Sequence, residues 1–159
     1  NNKDKNLLAM AIMKSCKIKS QIVGRDEKEQ KLRMMLNFGH TFAHGFEGAK
    51  NFSKKLNHGE AVLLGMMVAS QLAYKKRILS LKDLILLKKH YLDLSLPMDL
   101  KKQFKKKDIN KIIYFMNKDK KNLNEKINLV LIKKIGKARP NNFAISGAEL
   151  KKFLTSCFI

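Results

Sequence analysis

Apolar residues recur at helical spacing along most of this 159-residue chain, and the period changes only near the C-terminus. In residues 5–22 the apolar and small residues follow the i, i+3, i+4, i+7 spacing of one helix face. The same kind of spacing predicts further helices over residues 29–47, 58–76, 80–92, 98–106, 108–117 and 147–156. The chain is therefore predicted to be a mainly α domain.

One stretch near the C-terminus has the composition of a β-strand instead. "KINLVLIKKIG" is β-branched and apolar and ends at Gly136, and "NNFAIS" after Pro140 can pair with it. The prediction is a small β-hairpin followed by the last helix. With 45% hydrophobic residues and no internal repeat, residues 1–159 are long enough to form one domain with a proper core.

The net charge of +21 favours anionic partners by long-range attraction. The lysines are spread along the whole chain, with apolar positions at helical spacing between them, which is typical of solvated helix faces. A basic helical module that binds nucleic acid is thus the alternative from another functional class, and the even spread argues against it.

No apolar run reaches the ~18–20 residues of a membrane span, so no membrane partner is expected. Cys16 and Cys157 form no framework and suggest reduced thiols in a cytoplasmic protein.

Three of the four histidines lie between residues 32 and 69, among several glycines. On a helix over 29–47 one line of polar side chains would span an arc of about 80°. Its members are Arg33, Asn37, His40, His44 and Glu47. Because lysine is absent from this line, a functional surface is favoured over a merely solvated one. Gly39 and Gly45 would each cost the helix up to about 1 kcal/mol relative to Ala, which often marks close approach by a ligand or another backbone.

His58 follows at the predicted start of the next helix. Asn57 can be the N-cap and Glu60 its capping-box partner, so that His58 occupies the first helical position. The positive helix end disfavours imidazolium there, and neutral imidazole is the form that binds a metal. His40 and His58 could supply two ligands of a catalytic zinc site. The spacing leaves the third open among His44, Glu47 and Glu60.

Five stretches carry a resemblance to a known family. "SCKIKSQIV", "DEKEQKLRMMLNFGHTFAHGFE", "HGEAVLLGMMVA", "NKDKK" and "LVLIKKIG" resemble, in that order, the C-terminal helical domain of the 3-dehydroquinate synthases, which belong to the sugar phosphate cyclases. The resemblance implies a cytoplasmic, two-domain lyase of the shikimate pathway of aromatic amino acid biosynthesis, commonly a homodimer. Such an enzyme converts 3-deoxy-D-arabino-heptulosonate 7-phosphate to 3-dehydroquinate and phosphate. It uses NAD and Zn²⁺, with Co²⁺ as a possible substitute.

The resemblance also assigns expected roles to residues. His40 and His58 correspond to two metal ligands, with the third, a glutamate, on the N-terminal domain. His44 and Lys19 correspond to catalytic groups. The residues expected to bind substrate are Lys19, Arg33, Asn37, His44 and Lys120, with Lys121 as an alternative to Lys120.

No Gly-rich dinucleotide fingerprint and no strand–helix alternation occurs in the chain. The Rossmann-like N-terminal domain that binds NAD is therefore expected to lie outside these residues, and this chain alone is expected to be inactive. The nearest alternative is another sugar phosphate cyclase, such as 2-deoxy-scyllo-inosose synthase. Glycerol dehydrogenase and iron-dependent alcohol dehydrogenase relatives are more distant alternatives. The cationic set with Lys19 and Arg33 argues against them, because it favours a phosphorylated substrate.

Overall fold

The computed structural model of the protein describes residues 4–118 and 126–158, with the backbone alone for 139–142. Within these ranges the chain forms α-helices, two short 3₁₀-helices and one antiparallel pair of strands. In chain order the elements are α1 (Lys5–Arg25), the first 3₁₀-helix (Leu32–Asn37), α2 (His40–Ala49), α3 (His58–Lys75), α4 (Leu81–Asp93), α5 (Leu100–Gln103), the second 3₁₀-helix (Lys106–Asp108), α6 (Ile109–Asn117), β1 (Lys126–Lys134), β2 (Lys137–Ser146) and α7 (Gly147–Ser156).

Most of the predicted elements are confirmed. The predicted helices over 58–76, 80–92, 108–117 and 147–156 correspond to α3, α4, α6 and α7. The predicted hairpin is β1 paired with β2, in a register that places Ile127 opposite Ile145. The predicted helix over 98–106 is reduced to the four residues of α5. The fold class, mainly helical with one small hairpin, is as expected.

The prediction of one continuous helix over 29–47 is wrong. The chain forms a 3₁₀-helix, breaks at Gly39 with a φ of 83°, and starts α2 at His40. A left-handed residue cannot continue an α-helix, and glycine adopts this conformation at no steric cost. Arg33 and Asn37 therefore do not share a helix axis with His40, His44 and Glu47, and the predicted straight line of polar side chains does not exist.

The core lies where α2 crosses α3 and α6 and where the hairpin packs on α3. Phe42 and Phe46 of α2 are fully buried. They belong to one buried cluster with Leu64 and Leu72 of α3 and Ile112 of α6. Burying such side chains contributes roughly 1.5–3 kcal/mol each, so this crossing stabilises the fold that holds α2 and α3 together.

Helix α1 differs from the others, because none of its residues is buried in the described structure. Leu8 and Ile12, which belong to its line of apolar residues at helical spacing, are both more than half exposed. The helix packs on the first 3₁₀-helix, near its own C-terminal end. Among the described residues, no helix combines the length and apolar composition required to cross a bilayer.

Candidate active site

An open cleft of about 520 Å³ lies between α1, the first 3₁₀-helix and the start of α2. Its lining residues are Ser15, Ile18, Lys19, Glu29, Arg33, Leu36, Asn37 and His40. The structure thus brings Lys19 together with Arg33, Asn37 and His40. The last three meet here although they do not lie on the single helix that was predicted for them. Ser15 and Lys19, which interrupt the apolar stripe of α1, both face this cleft.

The loop after α1 is organised by the Asp26 carboxylate. Its oxygens accept hydrogen bonds from the backbone N–H groups of Gln30, Lys31 and Arg33, at 2.8, 2.7 and 3.0 Å. These donors, that of Arg33 first, hold the pKa of the Asp26 carboxyl below its usual value. The Arg33 guanidinium also donates to the carbonyl oxygen of Glu27 at 2.9 Å. Arg33 is therefore held at the cleft through both its backbone and its side chain.

Glu29 is a cleft residue that the sequence prediction missed. Its backbone has a φ of 54°, and its Oε1 accepts a hydrogen bond of 2.6 Å from Nδ2 of Asn37. Because the amide nitrogen of Asn37 is held in this way, the orientation of that side chain in the cleft is defined. The available signal was the segment "DEKE" at residues 26–29, which places three carboxylates shortly before Arg33 in a lysine-rich chain.

At one end of the cleft, the His40 ring lies near the rings of two other histidines. The ring centroids of His40 and His58 are 5.7 Å apart, and those of His40 and His44 are 6.3 Å apart. A zinc–nitrogen bond is about 2.0–2.1 Å long. Two imidazoles that bind one ion therefore have ring centroids about as far apart as those of His40 and His58. His58 begins α3, and the predicted capping box between Asn57 and Glu60 is present, with bonds of 3.0 and 3.2 Å.

The hydrogen bonds of His40 and His58 suit metal ligation. Nδ1 of His40 lies 3.4 Å from the Phe38 carbonyl oxygen, and Nδ1 of His58 lies 3.0 Å from Oε1 of Glu47. Both partners are acceptors, so Nδ1 carries the proton and Nε2 keeps its lone pair. Burial lowers the pKa of His40, and the neighbouring His58 and His44 lower it further, which keeps the ring neutral at pH 7. The donor set therefore fits a borderline-soft divalent ion such as Zn²⁺.

A third metal ligand is absent from the described part of the chain. Across residues 4–118 and 126–158, no three His, Cys, Asp or Glu side chains converge as a complete metal site. Of the predicted candidates, Glu60 closes the capping box and Glu47 contacts His58. Lys120 and Lys121, predicted to contact substrate, lie outside the described residues.

The fold is shared with solved enzymes that hold NAD and a divalent metal. A 2-epi-5-epi-valiolone synthase from Streptomyces hygroscopicus subsp. jinggangensis 5008, with NAD⁺ and Zn²⁺ bound, superposes with a TM-score of 0.65 at 22% identity. The match covers 87% of this chain and 37% of that one. A 2-deoxy-scyllo-inosose synthase complexed with carbaglucose-6-phosphate, NAD⁺ and Co²⁺ gives a TM-score of 0.60 at 21% identity, over 80% of this chain and 35% of that one. At this level of identity the likeness establishes the fold.

Sequence comparison identifies the family. Residues 1–122 match the family described as 3-dehydroquinate synthase C-terminal. The chain is 52% identical over 126 residues to a 3-dehydroquinate synthase of Pelagibacter ubique (strain HTCC1062), covering 79% of this chain and 34% of the relative. It is 37% identical over 152 residues to that of Thermodesulfovibrio yellowstonii (strain ATCC 51303 / DSM 11347 / YP87), covering 96% and 41%.

The chain belongs to the 3-dehydroquinate synthase family, and it corresponds to the C-terminal domain of that family. The resemblance noted in the motifs is thereby confirmed at the level of the family. The chain spans between a third and about two fifths of the length of these two relatives.

Proposed function

We propose that this chain is the metal- and substrate-binding domain of a 3-dehydroquinate synthase. The complete enzyme would convert 3-deoxy-D-arabino-heptulosonate 7-phosphate to 3-dehydroquinate and phosphate. The observation that carries the proposal is one cleft that gathers Lys19, Arg33 and Asn37 beside His40, with the His58 ring 5.7 Å from His40. Two cations, an amide and paired imidazoles are suited to a substrate that has a carboxylate, a phosphate and several hydroxyl groups.

His40 and His58 would hold the metal ion through Nε2, and an N-terminal domain would hold NAD and the remaining ligand. When bound, the metal would polarise a substrate hydroxyl as a Lewis acid, and NAD would accept and return a hydride. The lowered pKa of His40 supports its role, because a protonated imidazole cannot ligate a metal.

Arg33 and Lys19 would bind the anionic groups of the substrate in this cleft. Arg33 offers a planar fork of donors that matches a carboxylate or a phosphate, whereas Lys19 offers a mobile point charge. Cations placed against the phosphate would stabilise the negative charge that develops as it leaves. Lys120, outside the described residues, would add a further cation, and the net charge of +21 would attract the anionic substrate at long range.

Asn37 and His44 complete the proposed set. Asn37 is held by Glu29 at 2.6 Å, which leaves its side-chain oxygen available to accept from a substrate hydroxyl. The His44 ring lies one helical turn from His40 on α2, at a centroid separation of 6.3 Å. A histidine near neutral pH can take and give protons, so His44 would move a proton to or from the reacting substrate.

The exposed face of α1 supports the proposed two-domain arrangement. Six large apolar side chains on this helix are exposed: Leu7, Leu8, Met10, Ile12, Met13 and Ile18. A helix that buries none of its own residues in the described structure gains little stability from its apolar stripe. We therefore propose that the N-terminal domain covers this helix and closes the cleft over Lys19.

The test is phosphate release from 3-deoxy-D-arabino-heptulosonate 7-phosphate by the product of the complete gene, supplied with NAD and Zn²⁺. The His58→Ala variant should lose at least about 100-fold in kcat, since it removes a metal ligand. His90→Ala is the matched control, because His90 is an exposed histidine on α4, away from the cleft, and it should turn over normally.

Absence of turnover in the folded, zinc-loaded wild type would overturn the substrate assignment. That outcome would favour another sugar phosphate, as in the 2-deoxy-scyllo-inosose synthases. Turnover that survives His58→Ala would retain the reaction and refute the metal role of His58.

A further inference from the structure

One carboxylate near the proposed metal site has no role in the function argued above. Glu47 lies in the last turn of α2, and its Oε1 is 3.0 Å from Nδ1 of His58, across the connection that joins α2 to α3. The Glu47 side chain is 17% exposed, whereas that of His58 is 59% exposed. A mostly buried carboxylate, that of Glu47, thus contacts Nδ1 of His58, whose side chain is mostly exposed.

Both partners of this contact are held in place by their backbones. The carbonyl oxygen of Glu47 accepts hydrogen bonds from Lys50 and Phe52, at 3.1 and 2.8 Å, which close the turn after α2. His58 is held at the start of α3 by the Asn57–Glu60 capping box. These bonds hold the backbones from which the carboxylate and the imidazole extend, so the 3.0 Å contact between the two side chains needs little ordering of the chain when a metal binds.

We propose that Glu47 is a positioning residue for His58: it accepts the Nδ1 proton, sets the ring orientation, and presents Nε2 to the metal. This inference rests on the metal role proposed for His40 and His58. A carboxylate that accepts from the second nitrogen of a ligating histidine fixes its tautomer and raises its basicity. The two ring nitrogens point away from each other, so a carboxylate bound to Nδ1 does not reach an ion on Nε2 of the same ring. Glu47, one of the predicted candidates for the third ligand, is thereby assigned to the histidine and not to the metal.

The experiment compares the metal affinity of variants of the complete enzyme. Zn²⁺ dissociation constants are measured by competition with a chromophoric chelator for the wild type, Glu47→Ala, Glu47→Gln and Glu60→Gln. Glu60→Gln is the matched control, because it removes the same charge next to His58 while its amide oxygen can still accept the capping-box hydrogen bond. Unfolding midpoints of the metal-free proteins show whether each variant is folded.

Glu47→Ala should weaken Zn²⁺ binding by about 10- to 100-fold. Glu47→Gln should recover part of this loss, because its oxygen can still accept from Nδ1. Glu60→Gln should stay within about threefold of the wild type. The ¹⁵N shifts of the His58 ring should show a defined Nε2 lone pair in the metal-free wild type and a mixture of tautomers in Glu47→Ala. At saturation, the absorption spectrum of bound Co²⁺ should be unchanged in Glu47→Ala, since the ligands are the same.

Unchanged Zn²⁺ affinity in Glu47→Ala would overturn the inference. A changed Co²⁺ spectrum in that variant would also overturn it, because Glu47 would then be a ligand itself. Failure of the proposed metal site itself would be recognised by a different result, because His40→Ala and His58→Ala would then bind Zn²⁺ as tightly as the wild type.

Discussion

Gly65 of α3 packs directly against the carbonyl oxygen of Gly39, so that a Cβ on Gly65 would overlap this oxygen. The same oxygen accepts the hydrogen bond of 3.0 Å from Ala43 that opens α2. On the other side, a Cβ on Gly39 would lie 2.6 Å from the backbone nitrogen of Met66. The start of α2, and with it His40, is placed by a contact between two backbones that only glycine permits.

Replacing Gly65 with Ala should therefore destabilise the protein. The added methyl group meets backbone, which cannot rotate aside, and overpacking of this kind costs about 1–3 kcal/mol. Gly59→Ala is the control in the same helix, because its added Cβ meets only the Asn57 side-chain oxygen, at 3.6 Å. That change should be neutral or slightly stabilising, since Ala is the better helix former. Denaturant unfolding measures both free energies, and equal effects would contradict the contact described.

The Asp26 loop should confer a dependence of stability on pH. The pKa of Asp26 is lowered in the folded state, so the carboxylate stabilises the fold above its unfolded pKa of about 3.9. This stabilisation is lost as the pH falls through the lower, folded value. Asp26→Asn should be less stable than the wild type at pH 7, and the difference should shrink in acid. Unfolding free energies measured from pH 7 to pH 3 test this.

A control for the Asp26 variant is Asp93→Asn, which removes the same charge from an exposed site at the end of α4. It should leave the free energy of unfolding within about 0.5 kcal/mol of the wild type. If the free energies of unfolding of Asp26→Asn and the wild type differed by the same amount at every pH, the charge of Asp26 would not be what stabilises the loop.

Lys19→Met should lower kcat/KM for the proposed substrate by about 10- to 100-fold, the loss expected when one charge-assisted hydrogen bond is removed. Lys17→Met makes the identical change on the same helix at an exposed position outside the cleft, and it should have little effect. Steady-state kinetics at two ionic strengths separate the local contact from long-range attraction, which salt screens. Equal losses in the two variants would assign the effect to net charge.

The two cysteines of this chain should differ in reactivity. Cys16 is exposed on α1, whereas burial raises the pKa of Cys157, whose Sγ lies 3.6 Å from the Phe153 carbonyl oxygen. Because the thiolate is the reactive form, iodoacetamide should modify Cys16 at least about 10-fold faster in the 159-residue chain. Peptide mass spectrometry measures both rates, which should converge in denaturant. Faster modification of Cys157 in the native chain would contradict its partly buried position.

Elements whose determinants lie within a few residues were predictable from the sequence. The capping box of Asn57 and Glu60 defines the start of α3, and it was read correctly because both partners belong to one turn. The hairpin and α7 were likewise predicted from local composition and spacing. The motif resemblance correctly indicated the family. Four of the eight residues that line the cleft, namely Lys19, Arg33, Asn37 and His40, are among those to which the resemblance assigned roles, and those roles stay predictions.

The sequence by itself determined the residue types, the helical periods and the local caps, because these depend on neighbours along the chain. Only the tertiary structure decided how the site is assembled. The break at Gly39 lies against the backbone of α3, and the pairing of Glu47 with His58 depends on how α2 and α3 cross. A helical projection of 29–47 missed both, because the spacing of apolar residues contains no information on a left-handed backbone residue or on the neighbour it must touch.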